Sequence, residues 1–183
     1  MSAEIHPADP STVPGAAPAD GTPLTPMKYQ DIYPTPPLLE SASRARPSAA
    51  KLFSLEYFEA EPGEMPAHAY TQHHVLLNLR ESAHRVENWR DGVYRDFLFG
   101  PGEVIVTPAG VRSGWRWHSR SAVVVVTLEP EQIRRFAETE VGVLLSDRQL
   151  QDQPQFYDPD LCHVGRLLRD ALSAREVGSA VVY

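Results

Sequence analysis

The sequence predicts a mainly β fold, a sandwich or barrel of short strands that is followed by α-helices. Alternating apolar and polar residues at strand length recur between residues 50 and 129. Turn signals separate these segments, among them Asp91-Gly92 and the Gly-Pro-Gly of residues 100 to 102. Helical spacing of apolar residues begins only after Pro130. Strands joined by such short turns favour antiparallel sheets over a parallel sheet with crossover helices.

Residues 1–49 form an N-terminal segment that is rich in Pro and Ala. Large apolar side chains are scarce there, above all in the first 27 residues, so burial cannot offset the entropy of ordering the chain. We therefore predict a largely disordered arm. A Pro-rich ligand for a partner protein is the alternative, but the segment lacks a clean PxxP context.

The predicted barrel occupies residues 50–129, and its segment from His73 to Arg80 reads as a strand. His74, Leu76 and Asn78 share one face of this strand, and the residues between them share the other face. The pair Asp91-Gly92 predicts a two-residue hairpin turn. The nearly all-apolar run from 122 to 128 predicts another strand.

Residues 130–183 are predicted to form a helical dimerisation and linker region. One helix begins at Pro130 and a second at Pro159, which Asp158 precedes as N-cap. The second helix carries an apolar stripe along one face, made of Leu161, Val164, Leu168, Ala171 and Leu172. Two interpretations coexist for this stripe. The helix packs on its own barrel, or it forms the interface of a homodimer, for which we predict Leu161, Val164 and Leu168.

Composition and charge exclude several classes of partner. The 183 residues carry a net charge of −7 and two lysines, Lys28 and Lys51, so we expect no nucleic-acid contact through this chain itself. The single cysteine, Cys162, allows neither an intramolecular disulfide nor a thiolate metal cage. The sequence contains no secretory signal and no apolar run long enough to span a bilayer. We therefore predict a cytoplasmic protein that does not bind membranes.

The segment Gly102-x5-Pro108-x-Gly110 matches the second cupin motif without a gap. With this motif, and with their order of barrel, helix, extended link and helix, residues 50–183 resemble the sensing domain of AraC-type transcription regulators. The resemblance implies a cupin-like jelly-roll β-barrel followed by C-terminal α-helices that dimerise. It also implies a small-molecule effector bound inside the barrel, and a DNA-binding domain that lies outside these 183 residues.

Metal-binding cupins use two His separated by one residue, then a Glu, then a third His. The resemblance places these four positions on His68, Tyr70, His74 and Ser113. Neutral Tyr and Ser are poor ligands for a first-row divalent ion, so we expect no metal and no other cofactor. The same four side chains are instead expected to supply the polar groups of a ligand pocket.

Two further residues complete the predicted site. Arg112 follows the Pro-x-Gly turn and has a planar guanidinium that can pair with a carboxylate ligand, although it can equally be solvated. Trp115 and Trp117 share one face of a strand, and Trp117 is interpreted either as core or as an aromatic wall of the pocket.

The resulting hypothesis is a non-enzymatic sensing and dimerisation domain. A phosphate-binding loop, a nucleophile elbow and a Cys-x-x-Cys pair are all missing from the sequence. The alternative is a stand-alone metal-dependent cupin enzyme, such as a dioxygenase or an isomerase. A metabolite-binding cupin with neither regulation nor catalysis is a third possibility.

Overall fold

Two antiparallel β-sheets form the body of the protein in a computed structural model that describes Tyr33 and residues 39–40, 53–145 and 155–179, with side chains as far as residue 174. Most of the arm predicted for residues 1–49 lies outside the described residues, so its disorder stays a prediction. The strands are β1 (Leu39–Glu40), β2 (Phe53–Ala60), β3 (Gly63–Ala69), β4 (His73–Asn78), β5 (His84–Arg90), β6 (Val93–Phe99), β7 (Glu103–Thr107), β8 (Arg112–Trp117), β9 (Ser121–Leu128) and β10 (Phe156–Tyr157).

The strand order is that of a jelly roll. One sheet has the order β1-β2-β9-β4-β7-β10 and the other has the order β3-β8-β5-β6. When the two-residue strands β1 and β10 are set aside, four strands remain in each sheet. Along the chain these eight strands alternate between the sheets except at the β5–β6 hairpin, as in two Greek keys, which is the double-sheet architecture that cupins share. The predicted fold class, mainly β with C-terminal helices, is confirmed.

Two of the predicted turns have the backbone that their residues indicate. Asp91 and Gly92 both have positive φ, as a type I′ hairpin requires, and they connect β5 to β6 with Arg90 paired to Val93. Gly102 and Gly110, the two glycines of the cupin motif, also have positive φ, at 74° and 80°. The motif glycines are therefore explained by backbone conformation at both ends of β7.

A bulge in β3 turns the first histidine of the predicted site into the barrel. Met65 pairs with Trp115 and His68 pairs with Ser113, so three residues of β3 span two residues of β8. Because of the extra residue, His68 lies on the same face of the strand as Met65 although three positions separate them. The side chains of His68 and its partner Ser113 therefore point to the same face of this sheet.

The C-terminal helices are α1 (Pro130–Phe136), which continues into one π-helical turn (Ala137–Val141), and α2 (Pro159–Ser179). Asp158 caps α2 as predicted, because its Oδ1 accepts the backbone N–H groups of Asp160 and Leu161 at 2.9 Å. Within the described ranges, no helix combines the length with the apolar character that crossing a membrane requires.

Helix α2 packs against the outer face of the six-stranded sheet. Leu168 and Leu172 join a cluster on that face with Leu77 and Val104. Gly165 lies so close to Leu77 that a Cβ there would stand 2.9 Å from Leu77 Cδ2. The interpretation that the helix packs on its own barrel is thus confirmed, and Leu168, which we had also predicted at a dimer interface, belongs to the packed face.

One buried side chain holds the β6–β7 turn to β4. Asn78 is fully buried, and its Nδ2 donates to the carbonyl oxygens of Phe99 and Gly100 at 2.8 and 2.9 Å. We expect Asn78→Asp to lower the free energy of unfolding by about 3 kcal/mol, because a carboxylate would face two carbonyls with nothing to donate. Urea denaturation of the two proteins measures this. A loss below about 0.5 kcal/mol, the ordinary range for surface positions, would contradict it.

Candidate functional site

Polar side chains on the inward faces of the strands gather at two opposite ends of the barrel. On β4, His74 lies near one end, where it pairs with Thr107, and Asn78 lies at the other, where it pairs with Val123. We call the first the histidine end, defined by His68, Tyr70, His74 and Ser113. We call the second the tyrosine end, defined by Tyr33, His84, Trp117 and Ser121.

The histidine end brings together the four residues that the cupin alignment predicts, but it packs them tightly. Tyr70, His74 and Ser113 are 2%, 0% and 1% exposed. The rings of Tyr70 and His74 meet edge to face with centroids 4.3 Å apart, and the Tyr70 hydroxyl lies 3.8 Å from Met65 Sδ. Asn88 Nδ2 donates to Ser113 Oγ at 3.0 Å. The phenol of Tyr70 thus fills the space where a ligand was expected.

The electrostatics of the histidine end keep its imidazoles neutral. Burial, and then the charge of the neighbouring His73, lower the pKa of His74 to about 3. Burial and the charge of Arg112 also lower the pKa of His68. Burial raises the pKa of Tyr70 above its ordinary value. The end is therefore an uncharged, desolvated cluster at neutral pH.

These residues do not fit a cupin metal centre. Tyr70 and Ser113 stand at two of the four ligand positions as neutral, poorly coordinating groups. Across the part of the chain that the structure describes, no group of three or more His, Cys, Asp or Glu side chains is placed to hold a metal ion.

Two arginines border the histidine end. Arg90, which sequence analysis missed, reaches across to β7 and donates to the Val106 carbonyl at 2.8 Å and to Thr107 Oγ1 at 2.9 Å. Burial lowers its pKa to about 10. Arg112 donates its backbone N–H to Asp91 Oδ1 at 3.0 Å, and its Nε is buried without a hydrogen-bond partner among the described residues. Arg90 closes this end of the barrel by joining the two sheets.

The tyrosine end contains a cavity of about 40 Å³ between the sheets. Its walls are mainly aliphatic and aromatic, with Leu76, Ile105 and Trp115 towards the middle of the barrel. Of the six predicted ligand-binding residues, only Trp117 lines this cavity. A cavity of this volume holds water but no organic molecule, so a ligand enters only if a lining side chain moves away.

Tyr33 occupies the mouth of this cavity. Its ring stacks on Trp117 with centroids 5.4 Å apart and planes 8° apart, and it packs on Phe58 at 4.4 Å. The Tyr33 hydroxyl and Ser121 Oγ form a hydrogen bond of 3.2 Å. Burial raises the pKa of Tyr33, so the phenol is neutral. A side chain from before the first long strand thus completes the wall.

His84 supplies a second polar group to the cavity. It is 4% exposed, and its ring lies 5.7 Å from that of Phe99. Burial, and then the charge of Arg80, lower its pKa to about 4. Its Nδ1 is buried and has no hydrogen-bond partner among the described residues. A buried acceptor or donor of this kind normally has a partner, which here a ligand or a water could provide.

Sequence reasoning missed the tyrosine end for identifiable reasons. His84 begins β5 and faces inward two residues before the buried Val86, an alternation that was visible in the sequence. Ser121 opens an almost entirely apolar strand and carries no further signal. Tyr33 lies in the Pro-rich segment, where no pattern marked it as a core residue.

The sequence matches no protein-family model and no curated protein. The fold is similar to that of an oxalate decarboxylase variant from Bacillus subtilis, at a TM-score of 0.41 and 11% identity, over 65% of this chain and 37% of that one. It is also similar to a Cupin 2 conserved barrel domain protein from Salinispora arenicola, at a TM-score of 0.39 and 18% identity, over 64% of this chain and 98% of that one. A cupin-like protein from Thermotoga maritima is similar at a TM-score of 0.37 and 12% identity, over 45% of this chain and 61% of that one. At these values the jelly-roll assignment rests on the strand order of this chain itself.

Proposed function

We propose that this chain is the effector-sensing and dimerisation domain of an AraC-type transcription regulator. A small molecule binds at the tyrosine end of the barrel, and its binding energy biases the arrangement of the C-terminal helices. The domain is non-catalytic and acts in the cytoplasm. DNA contact belongs to a further domain, which suits the net charge of −7 on these residues.

A single observation carries this proposal: one strand connects the cavity to the helix. On β4, Leu76 faces inward and lines the cavity, whereas the next residue, Leu77, faces outward and lies against Gly165 of α2. Packed interiors deform in discrete steps rather than continuously. A ligand that moves Leu76 therefore changes the position of α2 on the sheet. The coupling free energy is then the difference in ligand affinity between the two helix arrangements.

The outer side of α2 provides a surface for the homodimer. Leu161, Val164 and Leu167 point away from the barrel and are 38%, 46% and 54% exposed. The spacing of three residues places them along one stripe of the helix. A second copy of α2 would cover this stripe, and ligand binding inside the barrel would alter the dimer through the same helix.

The dimer is tested by a double substitution in this stripe. We expect the unmodified chain to be a dimer at micromolar concentration, and Leu161→Glu with Val164→Glu to weaken the dimer by at least roughly a hundredfold, because buried unpaired carboxylates oppose association. Sedimentation equilibrium measures both. Val93→Glu is the matched control, since Val93 is 49% exposed at the β5–β6 hairpin, in the sheet on which α2 does not pack, and should leave the dimer intact. A monomeric unmodified chain would contradict the proposed function.

The metal-dependent cupin enzyme remains the alternative function. Of the four motif positions, His68 and His74 keep side chains that bind divalent metals. Metal analysis of purified protein separates the two candidates. Stoichiometric iron, manganese or zinc that is lost on His68→Ala would favour the enzyme, and the sensing domain is expected to carry none.

A further inference from the structure

We propose that the ligand of the tyrosine end is a small neutral phenol, which binds in the place that the Tyr33 side chain occupies. The inference rests on the proposed sensing function and names the class of its ligand. The geometry of the cavity carries it, because the protein already holds one phenol there and the contacts of that phenol describe a binding site.

The aromatic contacts of Tyr33 define a slot for one planar ring. Trp117 forms a parallel wall at a centroid distance of 5.4 Å, and Phe58 closes the slot at 4.4 Å with its plane tilted by 40°. Trp117 is itself held in place, because its Nε1 donates to the Glu61 carbonyl at 2.6 Å. Stacked aromatic rings prefer this separation, whereas a puckered ring would lose contact with the flat Trp face. The slot therefore selects a planar ligand.

The polar groups select a hydroxyl and leave room for a second polar substituent. Ser121 Oγ already bonds the Tyr33 hydroxyl at 3.2 Å and would bond a ligand hydroxyl in the same way. His84 lines the same cavity, and its buried Nδ1 has no hydrogen-bond partner within the described ranges. A ring that carries another donor or acceptor would satisfy His84 as well, which the Tyr33 side chain does not do.

The size and charge of the cavity exclude other common ligand classes. The present volume of about 40 Å³ admits water but no organic molecule, so an incoming ring must displace Tyr33. Removal of the phenol would open a space on the order of 150 Å³, a volume that accommodates benzene. A sugar would bury several hydroxyls against aliphatic walls without partners. An anion would find no Arg or Lys among the residues that line the cavity.

The test uses 4-methylphenol, which is the tyrosine side chain as a free molecule, and the variant Tyr33→Ala. We expect Tyr33→Ala to bind 4-methylphenol at least roughly tenfold more tightly than the unmodified chain does, because no resident ring has to be expelled. Calorimetry measures the affinity, and quenching of tryptophan fluorescence that is reduced in Trp117→Phe reports the position. If Tyr33→Ala is unfolded on its own, millimolar 4-methylphenol is expected to restore folding, and failure to restore it would overturn the inference.

The role of the hydroxyl is tested separately. Toluene has the same shape without the hydroxyl, and we expect it to bind Tyr33→Ala roughly two- to tenfold more weakly than 4-methylphenol does, the range for one hydrogen bond. Addition of Ser121→Ala should abolish this preference. Equal affinity for the two molecules in Tyr33→Ala would show a site for any apolar molecule and would overturn the assignment to phenols.

Tyr94→Ala is the matched control. Tyr94 lies on β6, where its ring packs on Trp89 at 5.4 Å, and it does not line the cavity. This variant should gain no affinity for 4-methylphenol, and an equal gain would mean that the phenol binds elsewhere. A dimer at the α2 stripe together with no phenol binding by Tyr33→Ala would end the inference and leave the proposed function standing. Phenol binding by a monomeric protein would end the proposed function and leave the assignment of a phenol to this cavity standing.

Discussion

Acidification from pH 6.5 to about 4.5 is expected to destabilise the protein strongly, through two buried histidines at opposite ends of the barrel. His74 and His84 are 0% and 4% exposed. Burial lowers their pKa values to about 3 and about 4. The same residues have an ordinary pKa of about 6.5 in the unfolded chain. Between these values the unfolded chain binds more protons than the folded one, so stability falls as the pH falls from 6.5 towards 4.

The size of this effect is on the order of 3 kcal/mol for each histidine over the whole window. That is a large share of the roughly 5 to 15 kcal/mol that holds a domain together. Above pH 4.5 most carboxylates are still ionised, so the histidines dominate the slope there. Urea denaturation at a series of pH values between 7 and 4.5 measures it.

Single substitutions separate the two histidines. His74→Phe and His84→Phe keep a flat ring but cannot take up a proton, so each is expected to flatten the dependence of stability on pH. Tyr70→Phe is the control, since Tyr70 touches His74 and does not titrate in this range. An unchanged slope in His74→Phe would show that protonation of His74 does not drive the acid unfolding.

Replacement of the first motif glycine is expected to have the second large effect. Gly102 has a φ of 74°, and a Cβ there would lie 2.9 Å from Cys162 Sγ and 3.1 Å from Tyr157 Cε2. A left-handed backbone costs a side-chain-bearing residue about 1 to 2 kcal/mol, and the overlap with α2 adds about 1 to 3 kcal/mol. Gly102→Ala should therefore lower the free energy of unfolding by roughly 2 to 5 kcal/mol.

Gly110 is the matched control for this prediction. It has a φ of 80° but nothing lies within 4 Å of the position of its Cβ, so Gly110→Ala should cost only the backbone term. Addition of Cys162→Ala to Gly102→Ala should recover about 1 kcal/mol or more of the loss, because the sulfur is removed. Equal costs for Gly102→Ala and Gly110→Ala would show that contact with α2 is not part of the role of Gly102.

Local chemistry explains which parts of the fold were predictable. The pair Asp91-Gly92 accepts positive φ at both positions, and Pro159 behind Asp158 starts a helix, whatever the rest of the chain does. The bulge in β3 was not predicted, yet it agrees with the cupin alignment because it directs both His68 and Tyr70 inward. The turn and the helix start depend on neighbours in the sequence, so the sequence predicts them directly, whereas the bulge emerges only from strand pairing.

The predicted site shows what the sequence does not predict, which is the free volume between the side chains. His68, Tyr70, His74 and Ser113 do lie at one end of the barrel, yet Tyr70 fills the space among them. Arg112 borders that end, and only Trp117 reaches the cavity at the other. The alignment specifies which faces point inward, but the free volume left between facing side chains depends on every one of them.

The sequence by itself determined most of the strands, although not β1, β3 or β10, together with the turns, the start of each helix and the inward face that carries the motif residues. The tertiary structure alone decided that a cavity remains at the tyrosine end. It placed Tyr33 against Ser121, 88 residues away in the chain, and set Leu77 against Gly165. The physical reason is range: backbone preferences act over a few residues, whereas a cavity is what remains after residues from distant strands have packed.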